Sequence, residues 1–284
     1  MATEIQRVGV VGLGTMGAGI AQVCVHAGVE TVGREVTAKL GERARERISH
    51  YLGRGVEKGR LTAEERDGAL GRLTTTTELA DLAGCDLVIE AVVEDLDAKR
   101  EIFSELDRLL PDAVLATNTS ALPVREIAAA TRHPERVVGM HFFNPAPVLP
   151  LVEVVEAEAS SAGAVDTAVA FAERIGKRPI RCKDTPGFVV NQILIPLLND
   201  CVRVLGEASV TPEDLDTAMT AGVNWPIGPC ALIDLIGVDV HVHASEALHE
   251  ALGEERMRPP QQLVEMQAAG KLGRKSGEGF FRYE

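Results

Sequence analysis

A histidine and a glutamate in two neighbouring apolar segments are the residues best suited to chemistry. His141 lies in segment 136–143 and Glu153 in segment 151–155, with a proline-rich loop between them. Both segments have the pattern of buried strands, so a short connection can bring the two side chains together. A carboxylate beside the ring would fix its tautomer and stabilise its protonated form, as a general base acting on a hydroxyl group requires. The alternative is a hydrogen-bonded core histidine, but a carboxylate in so apolar a segment needs a partner.

A glycine turn near the N-terminus predicts a dinucleotide site. The apolar segment 7–11 runs directly into Gly12, Gly14 and Gly17, and a helix-like segment follows. Gly12 allows the tight turn, Gly14 lets the backbone approach phosphate groups, and Gly17 lets the helix pack against the strand. A pyrophosphate would then meet amide groups and the positive end of the helix. We expect the phosphate-binding turn to comprise Gly12, Leu13, Gly14, Thr15, Met16 and Gly17.

Glu35 is expected to set the choice between NAD and NADP. It lies about 20 residues beyond the turn, at the end of a second strand-like segment, where a carboxylate accepts hydrogen bonds from the adenosine ribose. The same carboxylate would repel a 2′-phosphate, so NAD is favoured. Arg34 is the one neighbour that could support NADP, although the preferred interpretation is a solvated residue at the sheet edge. Together, the turn and His141 predict a nicotinamide-dependent dehydrogenase.

Two further polar residues could hold the reacting oxygen. Ser120 follows the apolar segment 113–117, at the carboxyl edge where open parallel sheets bind ligands. Its hydroxyl could bond the substrate oxygen, and it could also cap the next helix; the position is compatible with both roles. Asn191 lies on the first helix of the C-terminal part and would face the site if the two parts close on each other. By itself, Asn191 would be taken for a surface amide.

The composition indicates a soluble, cytoplasmic protein of two domains that binds neither nucleic acid nor a membrane. The chain has 284 residues and is 45% apolar, which is ample for two hydrophobic cores. It has no apolar run of about 18 residues and no signal-peptide pattern. Its formal charge of −13 disfavours nucleic acid and anionic membranes as partners. The five cysteines are widely spaced, which favours reduced, buried thiols over a metal site.

The pattern along the chain predicts an α/β fold. Strand-like segments alternate with helical ones up to residue 185, as in a Rossmann-type, mainly parallel sheet with helices on both faces. The charged segment 37–70, with a break at 58–62, predicts a protruding helical pair inserted into this NAD-binding domain. A Pro-Gly pair marks the boundary, and residues 186–284 predict an all-helical domain that closes over the substrate and forms a homodimer. The predicted strands are 8–11, 29–34, 86–93, 113–117, 136–143 and 151–155, and the predicted helices are 18–27, 188–205, 211–220, 231–236, 239–252 and 260–268.

Several motifs resemble those of the L-3-hydroxyacyl-CoA dehydrogenase family, of the 3-hydroxybutyryl-CoA dehydrogenase type, and the resemblance covers essentially the whole chain. The chain departs from the family pattern at Gly33 and Arg34, before the ribose acid, and at Trp225, where histidine or tyrosine is frequent. Because Trp225 lies in a loop that could shape the acyl pocket, the resemblance fixes the reaction more firmly than the substrate. The matching motifs are residues 12–17, 90–94, 118–120, 141–145, 183–187 with Asn191, 228–229 and 270–277.

The resemblance implies reversible, NAD-dependent oxidation of a (3S)-hydroxyacyl-CoA to a 3-oxoacyl-CoA in fatty acid metabolism, with a short acyl chain such as 3-hydroxybutyryl. The implied catalytic residues are His141 as base, Glu153 as its partner, and Ser120 and Asn191 as contacts of the substrate oxygen. The residues implied near the nicotinamide end of NAD are Glu94, Lys99 and Asn144. Relatives that act on acyl-carrier-protein thioesters in polyketide precursor synthesis, or on free hydroxy acids, leave the acyl carrier open. A NAD(H)-binding sensor without turnover is a further alternative, which the intact set of catalytic residues disfavours.

Overall fold

The chain forms two compact units, an α/β unit that ends at Thr185 and a helical unit that begins at Pro186. The computed structural model describes residues 4–283. The strands are β1 Arg7–Val11, β2 Glu30–Arg34, β3 Leu73–Thr76, β4 Leu87–Glu90, β5 Val114–Thr117, β6 Val137–Phe142, β7 Leu151–Glu156 and β8 Arg178–Lys183. The helices of the first unit are α1 Thr15–His26, α2 Ala38–Glu57, α3 Ala63–Gly71, α4 Leu96–Leu109, α5 Val124–Ala128 and α6 Ala162–Arg174. Those of the second are α7 Val190–Glu207, α8 Pro212–Val223, α9 Pro229–Ile236, α10 Val238–Leu252 and α11 Gln261–Ala268.

The strands of the first unit form one sheet in the order β3-β2-β1-β4-β5-β6-β7-β8. Neighbouring strands from β3 to β6 are parallel, whereas β7 runs antiparallel to β6 and β8 is parallel to β7. The predicted fold class, a mainly parallel Rossmann-type sheet followed by a helical unit, is therefore confirmed. The carboxyl ends of β1, β4, β5 and β6 meet at one edge, which is where open α/β sheets bind ligands.

The core of the first unit explains why these segments pair as they do. Val8 and Val10 on β1 and Leu87 and Ile89 on the neighbouring strand β4 have no exposed surface. They belong to a cluster that joins the sheet to α1, α2 and α6. Strands buried on both faces need continuous apolar runs, and β1 and β4 have them.

Two strands were not predicted, and both lie at the edges of the sheet. β3 has one buried apolar residue, Leu73, followed by three threonines, and β8 is largely polar and exposed. Because β3 lies outside β2, Arg34 is not at the sheet edge as the sequence indicated. The other unusual residue of β2, Gly33, makes room for the side chain of Leu13, which a Cβ would approach to 2.7 Å.

The helical pair of segment 37–70 forms, but its first helix is anchored along its length. α2 starts after Thr37, whose hydroxyl accepts the amide of Leu40, and α3 starts with a capping box between Thr62 and Glu65. One stripe of α2, which packs against α1 and β3, is buried at Gly41, Ala44, Ile48 and Leu52. The first helix, predicted to begin at Ala18, begins one turn earlier at Thr15.

The second unit contains the five predicted helices, joined by two buried polar centres. Asn199 on α7 accepts from Nε2 of His241 at 2.9 Å and donates to backbone carbonyls of residues 256–258. Asp234 on α9 accepts the amides of Phe280 and Phe281 and the hydroxyl of Tyr283, each at 2.9 Å. Within residues 4–283, no helix is long and apolar enough to cross a membrane.

Candidate active site

The glycine turn joins the end of β1 to the start of α1. Gly12 has a φ of +84°, and a Cβ there would lie 2.8 Å from the carbonyl oxygen of Ala91. A Cβ on Gly17 would collide with the carbonyl oxygen of Gly12, so neither position tolerates a side chain. At Gly14, by contrast, a Cβ would meet no atom of the protein within 4 Å. Packing therefore does not require glycine at position 14, whereas a ligand close to the backbone would.

The start of α1 and Glu35 fit a dinucleotide. No side chain caps the N-terminus of α1, so the positive end of the helix, at Thr15 and Met16, is available to an anion. Glu35 follows β2, and its two carboxylate oxygens accept the amides of Leu13 at 2.8 Å and Val36 at 3.0 Å. The carboxylate is thereby fixed beside the turn, at the place where a ribose is bound in such sheets.

Two arginines near the turn have defined partners. Nε of Arg34 donates to the carbonyl of Thr77 at 3.0 Å, so Arg34 is half-buried rather than the solvated residue that the sequence indicated. Arg47, on α2, donates from Nη2 to the carbonyls of Leu13 and Gly14, both at 2.7 Å. The contact of Arg47 with the turn was not predicted, because nothing in the sequence links a charged helix to a loop 33 residues earlier.

Glu94, in the loop after β4, holds the loop after β5. Its Oε1 accepts the hydroxyl of Thr119 and the amides of Ser120 at 2.8 Å and Ala121 at 3.3 Å. Partial burial alone would raise the pKa of Glu94, but Lys99 and these hydrogen bonds lower it below its usual value. Glu94 is therefore anionic at neutral pH and fixes the position of Ser120, whose side chain is exposed.

Behind Glu94 lies a fully buried ion pair. Nζ of Lys99 is 2.7 and 2.9 Å from the two oxygens of Glu90 and 3.4 Å from Oε2 of Glu94. Thr117, at the end of β5, donates to Glu90 at 2.7 Å. Lys99 has no exposed surface, and Glu94 lies between its ammonium group and the solvent-accessible side of the loop.

His141 and Glu153 lie directly opposite each other on β6 and β7. The antiparallel register pairs the two residues, and Nδ1 of His141 is 2.7 Å from Oε2 of Glu153. Glu153 is completely buried and His141 nearly so. A carboxylate can only accept, so Nδ1 of His141 carries the proton of this hydrogen bond. The pair has the form of a base with its tautomer fixed by an acid.

Two further side chains, Asn118 and Asp184, hold backbone amides of the first unit. Oδ1 of Asn118 accepts the amide of Phe142 at 2.9 Å, which ties the end of β5 to the end of β6. Asp184 accepts the amides of Val124 at 3.0 Å and Arg125 at 2.8 Å at the start of α5. The N-cap of α5 is Pro123, so the helix-capping role considered for Ser120 was wrong.

The two remaining predicted residues, Asn144 and Asn191, belong to different units of the chain. Asn144 is exposed in the loop between β6 and β7, which is held by Lys177 through the carbonyls of Ala146 and Leu149. Asn191 is the second residue of α7, in the helical unit, and is half-buried. Within residues 4–283, no group of three or more histidine, cysteine or acidic side chains could hold a metal ion.

Comparison with known families accounts for both units. The model of the 3-hydroxyacyl-CoA dehydrogenase NAD-binding domain matches residues 7–185, and that of the 3-hydroxyacyl-CoA dehydrogenase C-terminal domain matches residues 187–283. The chain belongs to the 3-hydroxyacyl-CoA dehydrogenase family. It is thus an NAD-dependent dehydrogenase by family, and the α/β unit is its NAD-binding domain.

Relatives within the 3-hydroxyacyl-CoA dehydrogenase family match along the full chain. The 3-hydroxybutyryl-CoA dehydrogenase of Mycobacterium tuberculosis is 49% identical, with all of both chains covered. The crystal structure of (S)-3-hydroxybutyryl-CoA dehydrogenase from Ralstonia eutropha has 39% identity and a TM-score of 0.95, covering 99% of this chain and 100% of that one. The 3-hydroxyadipyl-CoA dehydrogenase of Escherichia coli is 41% identical over 99% of this chain and 60% of its own.

Proposed function

We propose that the chain catalyses the reversible, NAD-dependent oxidation of a short-chain (3S)-hydroxyacyl-CoA to the 3-oxoacyl-CoA. The observation that carries the proposal is the buried 2.7 Å contact between His141 and Glu153, in the same sheet as the NAD-binding turn. A base of this form suits a hydroxyl group that loses a proton as its carbon loses a hydride. The relative named 3-hydroxybutyryl-CoA dehydrogenase supports a short acyl chain.

His141 is the proposed base, acting through Nε2. It takes the proton of the 3-hydroxyl group while the O–H electron pair forms the carbonyl and the C3–H pair leaves as hydride. NAD, when bound, supplies the acceptor for that hydride. Glu153 stabilises the imidazolium that forms, and in the reverse direction the imidazolium returns the proton to the oxygen. Ser120 and Asn191 are proposed to hydrogen-bond that oxygen.

The remaining site residues are proposed to serve the cofactor. Residues 12–17 hold the pyrophosphate, Glu35 the adenosine ribose, and Glu94 and Asn144 the nicotinamide end. Lys99 acts by holding Glu94, because its ammonium group is enclosed by two carboxylates. The fixed loop around Ser120 supports this arrangement, since orientation is what the protein contributes to hydride transfer.

The helical unit is proposed to close over the substrate and to form a homodimer. The homodimer is supported by large apolar side chains of that unit that are exposed in a single chain. Ile193, Val223 and Leu235 are each more than half exposed, and a second copy would cover such side chains. A cytoplasmic location is part of the proposal. The free cysteines suit a reducing compartment, and burial raises the pKa of Cys24 to about 12, so this thiol is unreactive.

Steady-state assays with acetoacetyl-CoA and NADH test the reaction. The full chain should oxidise NADH in the presence of acetoacetyl-CoA, and His141→Gln should not do so at a comparable rate. Acetoacetate and acetoacetyl-acyl carrier protein, assayed in parallel, test the two alternative carriers. A higher kcat/KM for either alternative would assign the chain to that carrier, and failure to reduce any of the three with NADH would contradict the proposed function.

A further inference from the structure

Glu90, Glu94 and Lys99 form a charge cluster at the carboxyl ends of β4 and β5. The ammonium group of Lys99 lies between the two carboxylates, at 2.7 Å from Glu90 and 3.4 Å from Glu94. Glu90 and Lys99 are fully buried, while 36% of the Glu94 side chain is exposed. Glu94 is thus the accessible end of a cluster whose other members are hidden from solvent.

The cluster carries one negative charge more than positive. Each oxygen of Glu90 accepts two hydrogen bonds, from the amide of Val92 and Lys99 on one side and from Lys99 and Thr117 on the other. Glu90 therefore acts only as an acceptor, as an ionised carboxylate does. Glu94 is ionised as well, so two carboxylates share one ammonium group.

The cationic residue closest to the cluster in sequence, Arg100, is paired outside it. Its guanidinium group lies 2.9 Å from Glu126 and 3.5 Å from Asp97. Glu94, with 36% of its side chain exposed, is the member of the cluster through which the excess charge reaches the surface. Partial burial keeps such a charge poorly screened.

The loop that carries the cluster borders the NAD-binding turn. A Cβ on Gly12 would lie 2.8 Å from the carbonyl oxygen of Ala91, directly after Glu90. In this fold, the second mononucleotide half binds over the carboxyl ends of the strands that follow the turn, here β4 and β5. The nicotinamide ring is cationic in NAD⁺ and neutral in NADH, and the rest of the cofactor is the same in both. A fixed charge near the ring therefore acts on the difference between the two forms.

We propose that Glu90, a residue with no expected contact to cofactor or substrate, sets the relative affinity of the enzyme for NAD⁺ and NADH. The negative charge of Glu90 leaves the cluster with a net charge of one negative unit. This net charge favours the cationic ring of NAD⁺. Removing that charge should raise the ratio Kd(NAD⁺)/Kd(NADH) by about tenfold, the scale of one poorly screened charge. The inference rests on NAD binding and not on the identity of the acyl substrate.

Equilibrium binding tests the inference without any turnover. NADH is titrated by its fluorescence and NAD⁺ by calorimetry, with the wild-type chain and Glu90→Gln. Two variants serve as controls: Thr117→Val removes a hydrogen bond to Glu90 but keeps its charge, and Glu173→Gln removes one charge from an exposed position on α6 of the same unit. Both controls should leave the ratio within about twofold of wild type, because neither changes the charge of the cluster.

An unchanged ratio in Glu90→Gln, or an equal shift in Thr117→Val, would overturn the inference. If Glu90→Gln does not fold, Glu94→Gln removes the same unit of charge from the accessible end and must raise the ratio; an unchanged or lower ratio there is equally contradictory. Failure of the wild-type chain to bind either form of the cofactor would instead overturn the proposed function.

Discussion

Two backbone amides donate hydrogen bonds to the carboxylate of Glu35. They fix the position of the group that a cofactor would contact at the end of β2. The amides of Leu13 and Val36 hold its carboxylate beside the glycine turn. The neighbouring Arg34 is engaged with the carbonyl of Thr77 and so is directed toward β3. A fixed negative charge, with the neighbouring Arg34 engaged elsewhere, is suited to a ribose with unmodified hydroxyl groups and unsuited to a phosphate.

The cofactor preference should therefore follow Glu35. The wild-type chain is expected to have a kcat/KM for NADH at least about tenfold above that for NADPH, the scale of one unfavourable charge contact. Glu35→Ser should narrow the difference, and Arg34→Gln should leave it unchanged. Comparing kcat/KM for the two cofactors in the three proteins decides the matter. Equal or better use of NADPH by the wild-type chain would mean that Arg34 governs the pocket.

Substitution of the base His141 should reduce the turnover rate far more than it reduces the affinity for the cofactor. His141→Gln is expected to lower kcat by about 10²-fold or more, the usual contribution of general acid-base catalysis, with a small change in the Kd for NADH. Glu153→Gln should also lower kcat, because an amide cannot stabilise the imidazolium. Single-turnover rates and NADH titrations separate the two effects. Near-normal turnover in both variants would exclude the pair from the mechanism.

Some residues of the site could be identified from the sequence and others could not, depending on whether an apolar surrounding made a charged side chain conspicuous. His141 and Glu153 could be paired because a carboxylate in an apolar strand requires a partner. The same signal was present at Glu90, which ends the buried strand β4, but its partner Lys99, one helical turn into α4, was singled out only through the family resemblance and was not paired with Glu90. Asp184 and Asn118 act on backbone amides, which no residue pattern reveals.

At the level of elements, the central strands were predictable and the edge strands were not. β1 and β4 are covered on both faces and must be continuously apolar, whereas β3 and β8 need fewer apolar residues because each has a neighbour on one side only. The antiparallel direction of β7 is what places Glu153 opposite His141. A shift of that register by one residue would turn Glu153 to the other face of the sheet.

In the second unit, the buried His241 on α10, which is hydrogen-bonded to Asn199 on α7, should make the free energy of unfolding depend on pH. Burial lowers the pKa of His241 from 6.5 to about 4, so the unfolded chain binds a proton at pH values where the folded chain does not. Stability should therefore fall as pH decreases from about 6.5 to about 4, by on the order of 3 kcal/mol in total.

Thermal unfolding of the full chain between pH 7 and pH 4 measures this dependence. His241→Gln removes the titrating group and should flatten the curve, while His133→Gln, at an exposed histidine, should keep the slope of the wild type. Equal slopes in all three proteins would show that His241 does not contribute to the acid lability.

At the level of the whole molecule, the division into units separates two tasks. The α/β unit contains the glycine turn, Glu35, and the His141–Glu153 pair within residues 4–185. The helical unit contains Asn191 and the exposed apolar residues described above. Closure over a substrate and assembly of two chains are both proposed for this second unit, so removing it should abolish activity without abolishing NAD binding.

The assembly should be measurable on the full chain and on a chain that ends at Thr185. The full chain is expected to scatter light as a homodimer, with twice the mass of one chain, because its apolar surface is best covered by a second copy. The shorter chain should bind NADH through its intact turn, yet be monomeric and inactive. A monomeric full chain at micromolar concentration would contradict the dimer, and activity in the shorter chain would contradict the role of Asn191.

The hydrogen bond between Nδ1 of His141 and Glu153 should also be visible by NMR. An imidazole proton that bridges 2.7 Å to a buried carboxylate is shielded from exchange with water and strongly deshielded magnetically. It should give a separate proton resonance far downfield of the amide region, even without substrate. Glu153→Gln should move this signal upfield and His141→Gln should abolish it. The spectrum would then report the tautomer of the base directly, at each pH and in each cofactor state.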